Sequence, residues 1–80
     1  MEAKPTRRIL IAGSTGYVGG RLLRILEDKG ERVRCLARRP EVLRNRVGPD
    51  TEIVRADLAD PDSLPRAFEG VDIAYYLVHS

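Results

Sequence analysis

Three glycines stand three residues apart, at positions 13, 16 and 19, inside ILIAGSTGYVGGRLLRIL (residues 9–26). Glycine weakens strands and helices alike, so a cluster between an apolar run and a helix-like one needs a reason. The three positions answer three separate needs. Gly13 lets the chain turn sharply off a strand. Gly16, with no Cβ, lets a phosphate oxygen approach the backbone, and Gly19 lets a helix pack closely on a sheet. The first amides of that helix, from about Thr15 to Val18, have no intrahelical acceptor and lie at the positive end of the helix dipole. Such a corner is a cradle for an anion, and in this context the anion is the pyrophosphate of a dinucleotide. A strand–helix turn that binds nothing needs only one glycine. The alternative phosphate loop, G-x-x-x-x-G-K-[ST], is absent, which argues against an ATPase or GTPase.

The choice of dinucleotide falls where the second strand ends, in CLARRP. An NAD site places an acidic residue about 20 positions past the first glycine, where it accepts from the ribose 2′-hydroxyl. Here Ala37 and Arg38 occupy that neighbourhood, followed by Arg39. A guanidinium matches a phosphate in shape and charge and offers a hydroxyl no acceptor. NADP(H) is therefore favoured, with NAD possible. The competing reading is an exposed basic pair with no ligand.

These groups need elements to hold them. Residues 8–12 (RILIA) read as a short buried strand. Residues 17–29 read as a helix with Val18, Leu22, Ile25, Leu26 and Lys29 at helical spacing, the apolar ones forming a buried stripe, and Gly30 as the stop signal. Residues 32–37 (RVRCLA) are a second strand, in which Cys35 is a small buried hydrophobe. Pro40 opens a short helical segment, PEVLRNRV, that ends at Gly48-Pro49. Residues 52–55 (EIVR) form a third strand. After it, either Asp60 caps a helix with Pro61 at its first position, or the helix begins at Ser63 with Pro65 in its first turn; it ends near Gly70. Residues 72–78 (DIAYYLV) form a fourth strand. Strands alternating with helical segments specify an α/β parallel sheet, half of a doubly wound nucleotide-binding fold with strand order 3-2-1-4.

Composition sets the remaining bounds. Eighty residues with 42% hydrophobic and 32% charged content make one small globular unit, or part of one, of marginal stability. A net charge of +2 is too balanced to argue for a nucleic-acid partner or an anionic membrane. No run approaches the roughly 18 apolar residues of a membrane span, and no signal-peptide pattern opens the chain, so a cytoplasmic location is expected. One cysteine allows no internal disulfide, and one histidine, His79, makes a poor metal site.

ILIAGSTGYVGGRLLRIL, VRCLARRP, ADLADPDSL and GVDIAYYLVHS together resemble the N-terminal part of extended and atypical short-chain dehydrogenase/reductases. More closely, they resemble NmrA-like and nucleoside-diphosphate-sugar-epimerase-like NAD(P)-binding proteins. The resemblance implies a Rossmann fold, with residues 1–80 a partial NAD(P)-binding domain from the N-terminal part of a longer protein. It implies pyrophosphate contacts from Gly13, Gly16 and Gly19 with Tyr17 and Val18, and a 2′-phosphate contact from Arg38. Asp57 and Leu58 match the pair that lies beside the adenine, although Asp57 alone reads equally well as a turn or cap carboxylate. The segment from Val78 to Ser80 matches the one under the nicotinamide-side ribose. The family's catalytic Tyr-x-x-x-Lys pair has no counterpart here: no lysine follows Tyr75 or Tyr76. The implied role is the dinucleotide-binding portion of an oxidoreductase or epimerase-like protein with its catalytic residues elsewhere, or else an NADP-sensing regulatory module without catalysis. An apolar fourth strand at the sheet edge predicts self-association through that edge.

Overall fold

The computed structural model describes residues 7–13 and 16–77. Four strands alternate with helical segments. They are β1 (Arg8–Ala12), α1 (Tyr17–Asp28), β2 (Arg32–Ala37), α2 (Pro40–Leu43), β3 (Glu52–Arg55), a 3-10 turn at Pro61–Ser63, α3 (Leu64–Phe68) and β4 (Ile73–Tyr76). All strand pairs are parallel and the order is β3-β2-β1-β4, as the alternation of elements specifies.

From Ile9 to Ala12 the interior strand β1 is apolar and buried because both of its faces are covered. Ile9 and Ile11 point to one side, with Val33, Cys35 and Ala37 of β2, Leu23 and Leu26 of α1, and Leu43 of α2. Leu10 and Ala12 point to the other, with Leu36, Ala56 and Ala67 of α3. Cys35 is fully buried, in keeping with its reading as a small hydrophobe.

Helix α1 is buried along Gly19, Leu23 and Leu26. The stripe differs from the sequence expectation in two members: Val18 is 63% exposed and Ile25 is 49% exposed. Apolar type alone does not choose the face. The close-packed glycine at 19, one turn ahead of Leu23, rotates the buried stripe away from both residues. Gly30 closes the helix as expected, with φ +77°. Its amide donates to the Glu27 carbonyl at 3.0 Å and the Glu31 amide donates to the Leu26 carbonyl at 3.1 Å, the paired bonds that satisfy a helix end.

Two elements are shorter than the sequence suggests, and a third is divided. α2 is a single turn, Pro40–Leu43, not a helix to Gly48. Glu27 of α1 explains the early stop, because it takes hold of the chain beyond. Its carboxylate accepts from the Gly48 amide at 2.7 Å and from the Thr51 hydroxyl. β4 pairs from Ile73 to Tyr76 rather than across residues 72–78, with Val78 outside the described residues. The segment after β3 uses both starts foreseen for it. Asp60 accepts from the Asp62 amide and caps the 3-10 turn, and α3 follows with Pro65 in its first turn.

Candidate dinucleotide-binding site

Parallel register brings the chain's distinctive residues to one edge. Ala12 lies beside Leu36, Leu36 beside Val54, and Ala12 also beside Tyr76. Gly13, Arg38 and Ala56 therefore leave the sheet along its carboxyl edge, where open α/β sheets hold their ligands.

At the β1–α1 corner, glycine at 13 is required twice. Its φ is +106°, and a Cβ built there would lie 3.0 Å from the Leu77 carbonyl carbon. The turn and the close pass of the chain after β4 both depend on it. Gly16 is different. It is the N-cap of α1 with φ −79° and ψ 171°, extended backbone open to any residue. A Cβ there would meet only the Gly13 carbonyl oxygen, at an ordinary 3.4 Å. Neither conformation nor packing among the described residues calls for glycine at 16. What its missing side chain leaves is room in front of the helix end. Gly19 is buried on the helix face turned to the sheet, where its lack of a side chain allows close packing.

The amides at this end divide. The Gly16 amide donates to the Gly13 carbonyl at 3.1 Å, so it is engaged inside the corner and is not one of the open donors expected from Thr15 to Val18. The Gly16 carbonyl accepts the first intrahelical bond, from Gly20 at 2.8 Å. Among the described residues nothing accepts from the amides of Tyr17 and Val18, no side chain caps the helix and no acidic residue lies in its first turn. Among the described residues nothing neutralises the positive end of this three-turn helix, beside the space that Gly16 clears. Tyr17, 77% exposed, accepts from Arg21 at 3.0 Å, and the Arg21 guanidinium lies 5.6 Å from its ring centroid. Thr15 and Val78 lie outside the described residues.

The second part of the site is a cleft of about 410 Å³ at the ends of β2 and β3. Arg38, Arg39 and Asp57 line it, as does Arg55, which the sequence reading passes over as the last residue of a strand. The signal was available in the register: a parallel β3 ending in EIVR sets Arg55 beside Ala37, the residue before the arginine pair. Asp57 has a local structural duty. Its Oδ1 accepts from the Ala59 amide at 2.9 Å, and its amide donates to the Ser63 hydroxyl at 3.0 Å. That favours the turn-carboxylate reading for one oxygen of Asp57 without removing the residue from the cleft. Leu58 is not in the cleft; it is half-buried against the Leu10–Ala67 cluster. A larger groove of about 820 Å³ runs between α1 and residues 45–46. It includes Gly16 and Tyr17 but neither Arg38 nor Arg39.

The corner therefore fits a pyrophosphate through the amides of Tyr17 and Val18, and the cleft fits an anionic nucleoside end through its guanidinium groups. No helix among the described residues is long and apolar enough to cross a membrane.

Comparison with known proteins agrees with this geometry. The sequence model of the NAD-dependent epimerase/dehydratase family matches residues 9–79, on the epimerase side of the resemblance. The 3β-hydroxysteroid dehydrogenase/Δ5→4-isomerase of Mycobacterium tuberculosis is 33% identical over 69 residues, covering 86% of this chain and 18% of that protein. A short-chain dehydrogenase/reductase superfamily protein from Agrobacterium tumefaciens, solved with bound NAD, is 31% identical with a TM-score of 0.74. That match covers 92% of this chain and 21% of the other. The structure of AtPrR2 with NADP+ and (+)pinoresinol superposes with a TM-score of 0.82 at 23% identity, over 98% of this chain and 28% of the other, which speaks to the fold. The chain spans less than a quarter of the length of the Mycobacterium and Agrobacterium proteins.

Proposed function

The chain belongs to the NAD-dependent epimerase/dehydratase family, and from that premise we propose that it binds NADP(H) as the cofactor-holding portion of an oxidoreductase or sugar-nucleotide-epimerase-like protein. The observation that carries the reading is the pairing of an α1 N-terminus that no described residue caps with an arginine-lined cleft on the same sheet edge. The Tyr17 and Val18 amides hold the pyrophosphate, and Gly16 lets it come close. Arg38 and Arg39 receive the 2′-phosphate. Asp57 stands at the adenosine end, with one carboxylate oxygen held by the Ala59 amide. A bound nicotinamide dinucleotide supplies hydride exchange with a carbonyl or alcohol. The residues described here bind and orient, and the groups that move protons in such a reaction lie elsewhere in the protein. Equilibrium titration with NADP+ and NAD+ tests the reading. Tighter binding of NADP+ is expected, and equal binding or a preference for NAD+ overturns it.

Self-association belongs to the same proposal. β4 is an edge of the sheet, its Tyr76 is 64% exposed, and Ala74 and Tyr75 are exposed beside it. An exposed edge of this kind pairs with another strand. Sedimentation of the 80-residue chain is expected to show dimers or larger species; a monodisperse monomer that unfolds cooperatively would refute this part.

A further inference from the structure

The geometry points to Arg55 as a third determinant of cofactor choice: a cation on β3 that works with the Arg38–Arg39 pair on the 2′-phosphate. This rests on the NADP(H) reading and assigns a role to a strand that the reading itself leaves out.

Three observations meet. Arg55 pairs in register with Ala37, and the Ala56 amide donates to the Ala37 carbonyl at 3.0 Å, so the two strand ends are locked side by side where the arginines begin. Arg38, Arg39 and Arg55 line one cleft. Among the described residues none of the three guanidinium groups is paired with a carboxylate; the ion pairs are Arg7–Glu31 and Arg34–Glu52. The two carboxylates in the cleft are partly committed to backbone: Asp57 to the Ala59 amide at 2.9 Å and Asp60 to the Asp62 amide at 3.2 Å. Three guanidinium groups against two carboxylates leave the cleft cationic. A phosphate dianion has oxygens enough for more than one guanidinium, and each charge-assisted bond adds discrimination against the hydroxyl of NAD.

The test measures NADP+ and NAD+ affinity for the full chain and its Arg55→Gln, Arg55→Lys and Arg38→Gln variants, with urea midpoints to confirm folding. Arg55→Gln is expected to weaken NADP+ binding about tenfold or more, as loss of a charged hydrogen bond does, and to leave NAD+ binding unchanged. Arg55→Lys, a point charge without the fork, is expected to fall between. If Arg55→Gln binds NADP+ as the parent does while Arg38→Gln does not, the inference fails and the NADP(H) reading stands. If Arg55→Gln weakens both cofactors equally, Arg55 does not discriminate and the inference fails. If the parent chain shows no preference for NADP+, the reading fails and the inference with it.

Discussion

The two ends of this sheet treat arginine in opposite ways. At the amino end, charge is spent on the fold. Arg7 donates to Glu31 at 2.7 Å, joining the approaches to β1 and β2. Asp72 accepts from the Arg8 amide at 2.8 Å while the Arg8 carbonyl accepts from the Asp72 amide at 2.9 Å, pinning the start of β4 to the start of β1. Arg34, 5% exposed, donates to Glu52 at 2.9 Å and to the Ala67 and Glu69 carbonyls at 2.7 and 2.8 Å, closing the end of α3. At the carboxyl end, Arg38, Arg39 and Arg55 share a cleft without a carboxylate partner among the described residues, beside an uncapped helix end. A folded chain gains by pairing its cations. Other arginines also lack an ion pair among the described residues; what sets these three apart is that they share one concavity, which the NADP(H) proposal fills with an anion. The amino end holds the domain together, and on the proposed reading the carboxyl end receives the anion.

The sharpest way to break this comparison is at Gly13, which serves both fold and site. Gly13→Ala forces a side chain into φ +106° and a Cβ to 3.0 Å from the Leu77 backbone. Strain and overpacking together are expected to cost about 3 kcal/mol, a large part of a small domain's stability, read as a clearly lower urea midpoint. A midpoint unchanged from the parent would show that the turn relaxes and that glycine there serves the ligand alone. Next comes Arg34→Met, which keeps the volume and removes the charge. It strips the Ala67 and Glu69 carbonyls, at and just past the end of α3, of their donor and is expected to cost about 2 kcal/mol, discounted because Glu52 is half exposed. NADP+ affinity, measured under conditions where the variant is folded, is expected to stay within twofold, about 0.4 kcal/mol. Loss of affinity without loss of stability would erase the division between the two ends. Gly16→Ala is the converse probe. Its backbone accommodates alanine, so the fold is expected to lose under about 1 kcal/mol, mostly as a poorer cap. Dinucleotide affinity is expected to fall at least about tenfold, because the Cβ takes the place of the phosphate. Unchanged affinity would mean that the space before α1 is not where the pyrophosphate lies.

The outline of this division was legible in the residues. Alternating apolar and helical segments yield the parallel sheet and its order, because a short apolar strand buried on both faces has few other arrangements. Gly13 and Gly30 were legible because positive φ leaves glycine almost no competitor. What stayed hidden depended on contacts across long stretches of chain. Val18 and Ile25 look like core on periodicity, and only the packing of Gly19 on the sheet shows which way α1 faces. α2 stops at Leu43 because Glu27 reaches across to Gly48 and Thr51, a contact that no local pattern announces. Arg34 in RVRCLA looks like a solvated member of an alternation; its burial comes from α3, more than 30 residues away. Arg55 joins the arginine pair only through strand register. The Gly16 amide, expected to be open, donates to the Gly13 carbonyl three positions earlier.

The smallest effect sharpens the amino end. The hydrogen bond from Arg7 holds the Glu31 carboxyl below its ordinary range, and the same contact raises Arg7. Between the lowered value in the folded chain and the ordinary one in the unfolded chain, the unfolded state carries more protons, so stability rises with pH across that interval. The contribution is complete above the ordinary glutamate pKa and is lost as pH falls through the lowered one. Arg7→Gln is expected to lower the urea midpoint slightly at neutral pH, by an amount that shrinks in high salt because both groups meet solvent. Parent and variant midpoints are expected to converge as the solution is acidified past Glu31. A difference that persists in acid would assign the effect of Arg7 to packing of its stem rather than to its charge, and Arg7 would then no longer stand with Arg34 as a cation spent on an anion of its own chain.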